Sequence, residues 1–266
     1  MKFYQSILLF FIIVLASCKS EFESLRTSNQ PEKVYKAANK YYAEKDYDRA
    51  IALYDIVIQF YRGKQEAEDL FYKYAYAHYY QADYILASSY FKNYAATFSN
   101  SPNKQEAEYM ASYSNYKLSP NYKLDQSYTL KAIEGFEQFI NLYPGTERAE
   151  DANRMIDEMR KKLEQKSFAQ GDLYYKIGQY QAAVTSFQNT LKDFPETKNA
   201  EEIRFLILKS SFTLAKHSIY EKQVERFNEA INFYNSFIKK HPSSKYTKEA
   251  KNIYKETLSE LKKIKA

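Results

Sequence analysis

Five times along the chain an alanine is followed four residues later by an aromatic and seven residues later by another bulky or β-branched residue. The sets are Ala50/Tyr54/Val57, Ala87/Phe91/Tyr94, Ala132/Phe136/Phe139, Ala183/Phe187/Thr190 and Ala230/Tyr234/Phe237. Offsets of four and seven put all three side chains on one face of an α-helix. The methyl group lets a second helix come close, and the ring fills the space beside it. A pattern recurring in the same order is the mark of stacked units, each of which buries its apolar face only against its neighbours.

Helix ends are written in the same rhythm. Pro144, Pro195 and Pro242 each stand twelve residues after the key alanine of their copy. A proline there stops the helix, because it lacks the amide hydrogen and disfavours helix in the residue before it. Thr146, Thr197 and Ser244 follow as hydroxyl caps for the next helix, and Glu147, Glu150, Glu201 and Glu202 fall in first turns, where the helix dipole favours them. Upstream of the fourth alanine, Gly171, Tyr174, Gly178 and Tyr180 complete a set that resembles the tetratricopeptide repeat, and Tyr41, Tyr42, Asp46 and Tyr47 make the first copy nearly as good. The key alanines are 37, 45, 51 and 47 residues apart, longer than that repeat's usual period of about 34. Insertions at Ser119 to Gln126 and Lys216 to Lys222, and one helix of about thirty residues over 147–177, account for the excess.

The resulting expectation is an all-α protein, an α-solenoid of about five tetratricopeptide-like helix pairs plus a C-terminal helix. The pairs occupy 32–61, 65–98, 104–143, 147–194 and 199–241, and the closing helix 245–264. The chain divides into 1–18, a lipoprotein signal; 19–30, a flexible tether; 31–144, repeats 1–3; and 145–266, repeats 4–5 with the terminal helix.

The ten apolar residues from Ile7 to Ala16, behind Met1 and Lys2, are too few to cross a bilayer but suit a signal-peptide core. They end in Leu15, Ala16, Ser17 and Cys18, which resembles a bacterial lipobox, and Cys18 is the only cysteine. Acyl chains on that residue, palmitate among them, would hold the chain to a membrane at about 0.8 kcal/mol per buried methylene. The next residue is Lys19, not the Asp that retains many such lipoproteins in the inner membrane. Likeness to those proteins therefore implies a lipid-anchored position on the periplasmic face of the outer membrane.

Composition removes several functions. Five glycines, at 63, 135, 145, 171 and 178, cannot build a phosphate-binding loop or a dinucleotide fingerprint. His78, His217 and His241 stand far apart, with no second cysteine, so no metal site is expected. No nucleophile, base and orienting group assemble, so the chain is read as a non-enzyme without cofactors. The formal charge of +6 resides in residues 238–266, which hold nine Lys against three Glu. An exported chain with no nucleic-acid motif is not a nucleic-acid binder. The tail suits an acidic partner surface, anionic lipid or simple solvation.

A lipobox, a tether, five helix pairs, a loop before Leu130-Lys131-Ala132 and a long helix leading to Asp172-Leu173-Tyr174-Tyr175 together resemble the BamD family over essentially the whole mature chain. That resemblance implies a scaffold of the outer-membrane β-barrel assembly machinery. It implies contact with the periplasmic domains of the barrel-forming subunit, capture of unfolded outer-membrane proteins by their aromatic C-terminal signal, and one copy within a hetero-complex. The alternative is a periplasmic repeat lipoprotein that coordinates other envelope or peptidoglycan machinery.

With Ala38 and Ala75 as the small packing positions, the inner face of the first two repeats carries Tyr35, Asn39, Tyr42, Tyr72, Tyr76 and Tyr79, the candidate client-peptide groove. Tyrosine offers a rigid apolar body with a polar tip, suited to loose recognition of extended chains. The Lys and Asn clamp of chaperone-tail binders is not expected, because Tyr35 and Tyr72 occupy the positions where Lys would serve.

Overall fold

The computed structural model describes residues 21–265, and among them are twelve helices and no strand. Cys18 and the signal sequence lie outside the described residues. A short α1 (Glu21–Arg26) precedes five pairs: α2 (Pro31–Ala43) with α3 (Tyr47–Tyr61), α4 (Ala67–Tyr80) with α5 (Tyr84–Thr97), α6 (Lys104–Leu118) with α7 (Ser127–Leu142), α8 (Glu147–Lys176) with α9 (Tyr180–Asp193), and α10 (Ala200–Lys216) with α11 (Tyr220–Lys240). A last helix, α12 (Thr247–Lys265), follows. The architecture is the expected α-solenoid of helix pairs.

Every member of the five alanine/aromatic sets is buried except Tyr234, which is half-buried. The alanines are at most 1% exposed, as required where neighbouring helices meet backbone to backbone. Burial of each large ring contributes about 1.5–3 kcal/mol relative to exposure. The cap residues act as the spacing indicated. Thr146 Oγ1 accepts from the Ala149 amide at 3.2 Å, Thr197 Oγ1 from Asn199 at 3.1 Å and Ser244 Oγ from Tyr246 at 3.0 Å. Two of these hydroxyls also donate to a carboxylate of the preceding helix pair, Thr197 to Glu164 and Ser244 to Glu201, both at 2.5 Å. One side chain thus caps a helix and ties its repeat to the one before.

Two expectations need correction. Residues 21–26 of the supposed tether are helical: Leu25 is 4% exposed against Val34 and Ala38, and Phe22 meets the Tyr41 ring edge-on at 5.9 Å. Phe22 and Leu25 form an apolar i,i+3 pair, too short a pattern to read as a helix in a polar stretch. The supposed insertion at Lys216 to Lys222 is not a longer turn either. α10 runs to Lys216 and α11 begins at Tyr220, so the extra residues lengthen α11 to 21.

The chain forms two compact units. Among the described residues, the first holds 21–120 and 126–156, the second 121–125 and 157–265. Their limit falls inside α8. In the second unit, Lys166 Nζ donates to the carbonyls of Tyr122 at 3.3 Å and Leu124 at 2.8 Å, fixing the loop of the third repeat.

His78, in α4, is 5% exposed between the rings of Tyr74 at 4.7 Å and Tyr90 at 5.0 Å. Its Nδ1 lies 3.3 Å from Asp83 Oδ2, and its Nε2 is buried without a hydrogen-bond partner. Burial pushes its pKa below the ordinary 6.5, against the opposing pull of Asp83 and Asp55. With the native value depressed, the unfolded chain takes up the proton first, so stability is full above about 6.5 and falls as pH drops toward the native value. The urea midpoint should fall from pH 7.5 to pH 5.5, and His78→Gln should remove that part of the fall. An unchanged slope in the variant would show that His78 is not responsible.

Candidate functional site

The first helices of repeats 1–3 carry one triplet on one face, repeated every 37 residues: Tyr35/Asn39/Tyr42 on α2, Tyr72/Tyr76/Tyr79 on α4 and Tyr109/Tyr113/Tyr116 on α6. In the first unit the rings form a connected face. Tyr42 lies 5.6 Å from Tyr47, Tyr47 stacks on Tyr80 at 4.7 Å, and Tyr80 stacks on Tyr76 at 5.8 Å. Tyr72 is 5.0 Å from Tyr76. Tyr79 bridges to the third repeat through Tyr113 at 6.2 Å, and Tyr113 stacks on Tyr109 at 5.7 Å and Tyr116 at 5.8 Å. Such offset and edge contacts contribute about 0.5–1.5 kcal/mol each beyond burial and hold the rings in place.

Of the six expected residues, Tyr42, Tyr72, Tyr76 and Tyr79 belong to this face. Tyr35 and Asn39 are instead committed to contacts within the first repeat and with the second. Tyr35 packs on Tyr61 at 4.7 Å and donates to Asp69 Oδ2 at 2.7 Å. Asn39 Oδ1 accepts from Tyr54 at 2.8 Å and Lys73 Nζ at 3.1 Å. Lys73 brings a cation beside Asn39, but it also binds Asp69 at 2.7 Å, so its charge is matched within the protein. Tyr47, Tyr80, Tyr109, Tyr113 and Tyr116 were missed; the last three were legible by adding 37 to the second triplet. Tyr80 is half exposed, the most open ring of the face.

At its third-repeat end the face carries an ion pair. Arg148 donates to Glu106 at 2.7 and 3.1 Å and lies 4.3 Å from the Tyr109 ring centre, while Tyr76 donates to Glu106 at 3.2 Å. Burial works against the Arg148 charge, but the bonds to Glu106 prevail and its pKa is raised. Burial also pushes the phenols up, Tyr35 and Tyr79 to about 12 and Tyr42, Tyr72 and Tyr76 likewise upward. At neutral pH the hydroxyls are therefore neutral and can both donate and accept. This surface can hold an apolar ring between tyrosine bodies and bond a peptide backbone with their tips. Among the described residues, no group of histidine, cysteine and carboxylates is placed to hold a metal ion, and no helix is long and apolar enough to cross a membrane.

Residues 27–214 match the model of the family YfiO, described as an outer membrane lipoprotein. The chain is similar to the outer membrane protein assembly factor BamD of Caulobacter vibrioides, 27% identical over 139 residues, or 52% of this chain and 46% of that protein. It is also similar to that of Rickettsia prowazekii, 28% identical over 116 residues, covering 44% and 46%. The match thus spans about half the length of these relatives. Among solved structures, the TPR domain of P58(IPK) aligns over 94% of this chain and 72% of that one, at 14% identity and a TM-score of 0.42. The family match covers well over half of the chain, which therefore belongs to the YfiO outer membrane lipoproteins, the BamD family.

Proposed function

We propose that this chain is a lipid-anchored, non-enzymatic scaffold of outer-membrane protein assembly, held at the periplasmic face of the outer membrane through Cys18. In this reading its N-terminal repeats receive unfolded outer-membrane proteins, and its C-terminal repeats meet the periplasmic domains of the barrel-forming subunit. The observation that carries it is the connected tyrosine face of repeats 1–3. It is rigid, neutral and laid across four helices, which suits extended chains bearing aromatic residues. Membership of the family supports the same role.

The test is equilibrium binding of a labelled peptide ending in Phe. Changing Tyr79, Tyr80 and Tyr113 to Ser removes three partly accessible rings and leaves the buried sets untouched. Affinity should fall at least tenfold, about 1.4 kcal/mol, with the helical circular dichroism signal retained. Equal binding by the folded variant would refute the client reading. Cys18→Ser should release the protein from the membrane fraction and abolish palmitate incorporation. Purification without the barrel-forming subunit would favour the alternative, a scaffold for other envelope machinery.

A further inference from the structure

We propose a second binding site in the first unit: the trough between α5 and α7, floored by α6, takes an extended, acidic peptide segment of a partner protein. It lies on residues of α6 other than the tyrosine triplet and uses none of the residues assigned above. The open space is about 830 Å³, within the range of built ligand sites. Small side chains produce it. Ala95 and Ala96 on α5, Ala111 and Ser112 on α6, and Gly135 on α7 line it where larger residues would fill it. Gly135 gives the space its width here: a Cβ there would meet the Ser112 hydroxyl and force that side chain to turn.

The counterpart space in the second unit shows that the trough is not a by-product of stacking. There α9, α10 and α11 repeat the arrangement, but Leu191, Arg204 and Phe233 line a space of only about 210 Å³. The same architecture therefore closes the gap in one place and leaves it open in the other.

Shape and charge select the occupant. The α5 wall runs from Ile85 to Ala96, about 17 Å at 1.5 Å per residue, and Ser99 just beyond the helix extends it, room for roughly five to six residues of extended chain at about 3.3 Å each. An extended segment presents free amides and carbonyls that need partners, whereas a helix has already paired them. Hydroxyl and amide side chains on all three helices, among them Ser89, Asn115 and Gln138, can supply such partners, while Ile85 and Leu142, 56% and 63% exposed, offer apolar footholds. Lys104 faces Glu108 at 4.0 Å and Glu134 accepts from Gln138 at 3.4 Å. Lys92 and Lys131, both exposed, form no ion pair among the described residues, and Lys131 Nζ lies 5.1 Å from the Tyr128 ring. The lining holds Lys92, Lys104 and Lys131 against Glu108 and Glu134, a small positive excess that suits carboxylates.

The test uses the full chain and two fluorescein-labelled six-residue peptides, one alternating Asp with Leu and the other Lys with Leu, followed by fluorescence anisotropy. The acidic peptide should bind saturably, at least tenfold tighter than the basic one. Lys92→Glu with Lys131→Glu should reverse that preference, and Ala96→Trp, at an exposed wall position, should block both peptides. Tyr79→Ser with Tyr80→Ser should change neither affinity, which separates this site from the proposed client face. Absence of saturable binding, or a preference unmoved by the two Lys→Glu changes, would overturn the proposal. So would concentration-dependent dimers that Ala96→Trp dissolves, since the occupant would then be a second copy. If Ala96→Trp fails to fold, the charge reversal alone decides.

Discussion

Phe187→Ala is expected to cost about 3–5 kcal/mol, the range for loss of a fully buried ring. Phe187 is 0% exposed and sits in the buried cluster of Ala183, Val184, Ile203 and Ile207, with Phe168 beside it at 5.9 Å. Removing the ring leaves a cavity that cannot close, because the helices around it are already held by alanine and glycine contacts. Phe187 belongs to one of the five sets that define the repeat, so its cost measures what the whole pattern contributes. A loss of that size is a large part of the roughly 5–15 kcal/mol that usually stabilises a domain. Urea denaturation should show a midpoint shifted strongly down at an unchanged slope. A loss below about 1 kcal/mol would mean that the ring is not central to the packing.

Gly171→Ala should also destabilise, by about 1–3 kcal/mol, although it adds only a methyl group to a helix and alanine is the better helix former. A Cβ at Gly171 would lie 2.6 Å from two carbons of the Phe187 ring, inside van der Waals contact. The ring is boxed in and cannot yield, so α8 and α9 must separate or the ring must leave its rotamer. The two changes should therefore couple. Phe187→Leu shortens the side chain, and in its presence Gly171→Ala should cost markedly less, a coupling of about 1–2 kcal/mol in a double-mutant cycle. Additive losses would show that glycine is there for another reason. Thermal melts of the four proteins suffice to decide this.

Gly171 also shows why the fourth copy read so clearly. It is the place where a helix approaches closely enough to need the smallest residue, and Gly178 and Tyr180, four and six residues after Tyr174, lead into the alanine set. The corresponding turns of the first two repeats place Lys45 and Ala82 in the same left-handed conformation, with φ of 62° and 59°, against 78° for Gly178. Tertiary packing there holds a backbone geometry that glycine would adopt without strain. The glycine part of the pattern was thus legible in the fourth copy and invisible in the first two, though all three turns are built alike.

The candidate face divides along similar lines. Helical period was enough to put Tyr72, Tyr76 and Tyr79 on one side of α4, because an offset of four and seven residues is a local consequence of 3.6 residues per turn. It could not tell that Tyr35 and Asn39, at the equivalent places on α2, are taken up by Asp69, Lys73 and Tyr54. Those partners come from other helices, and their arrival depends on how one repeat sits on the next.

What the amino-acid order determined by itself, then, was the helical class, the number of pairs, the proline stops with their hydroxyl caps, and the alanine faces that pack. All of these follow from interactions within about a turn of helix or from a period that repeats. What only the tertiary structure decided was the capture of Phe22 and Leu25 by the first repeat, the joining of tyrosines from four helices into one face, and the open trough between α5 and α7. Each of these depends on distances between residues remote in sequence. Such distances are set by the sum of packing at every interface, so no local pattern encodes them.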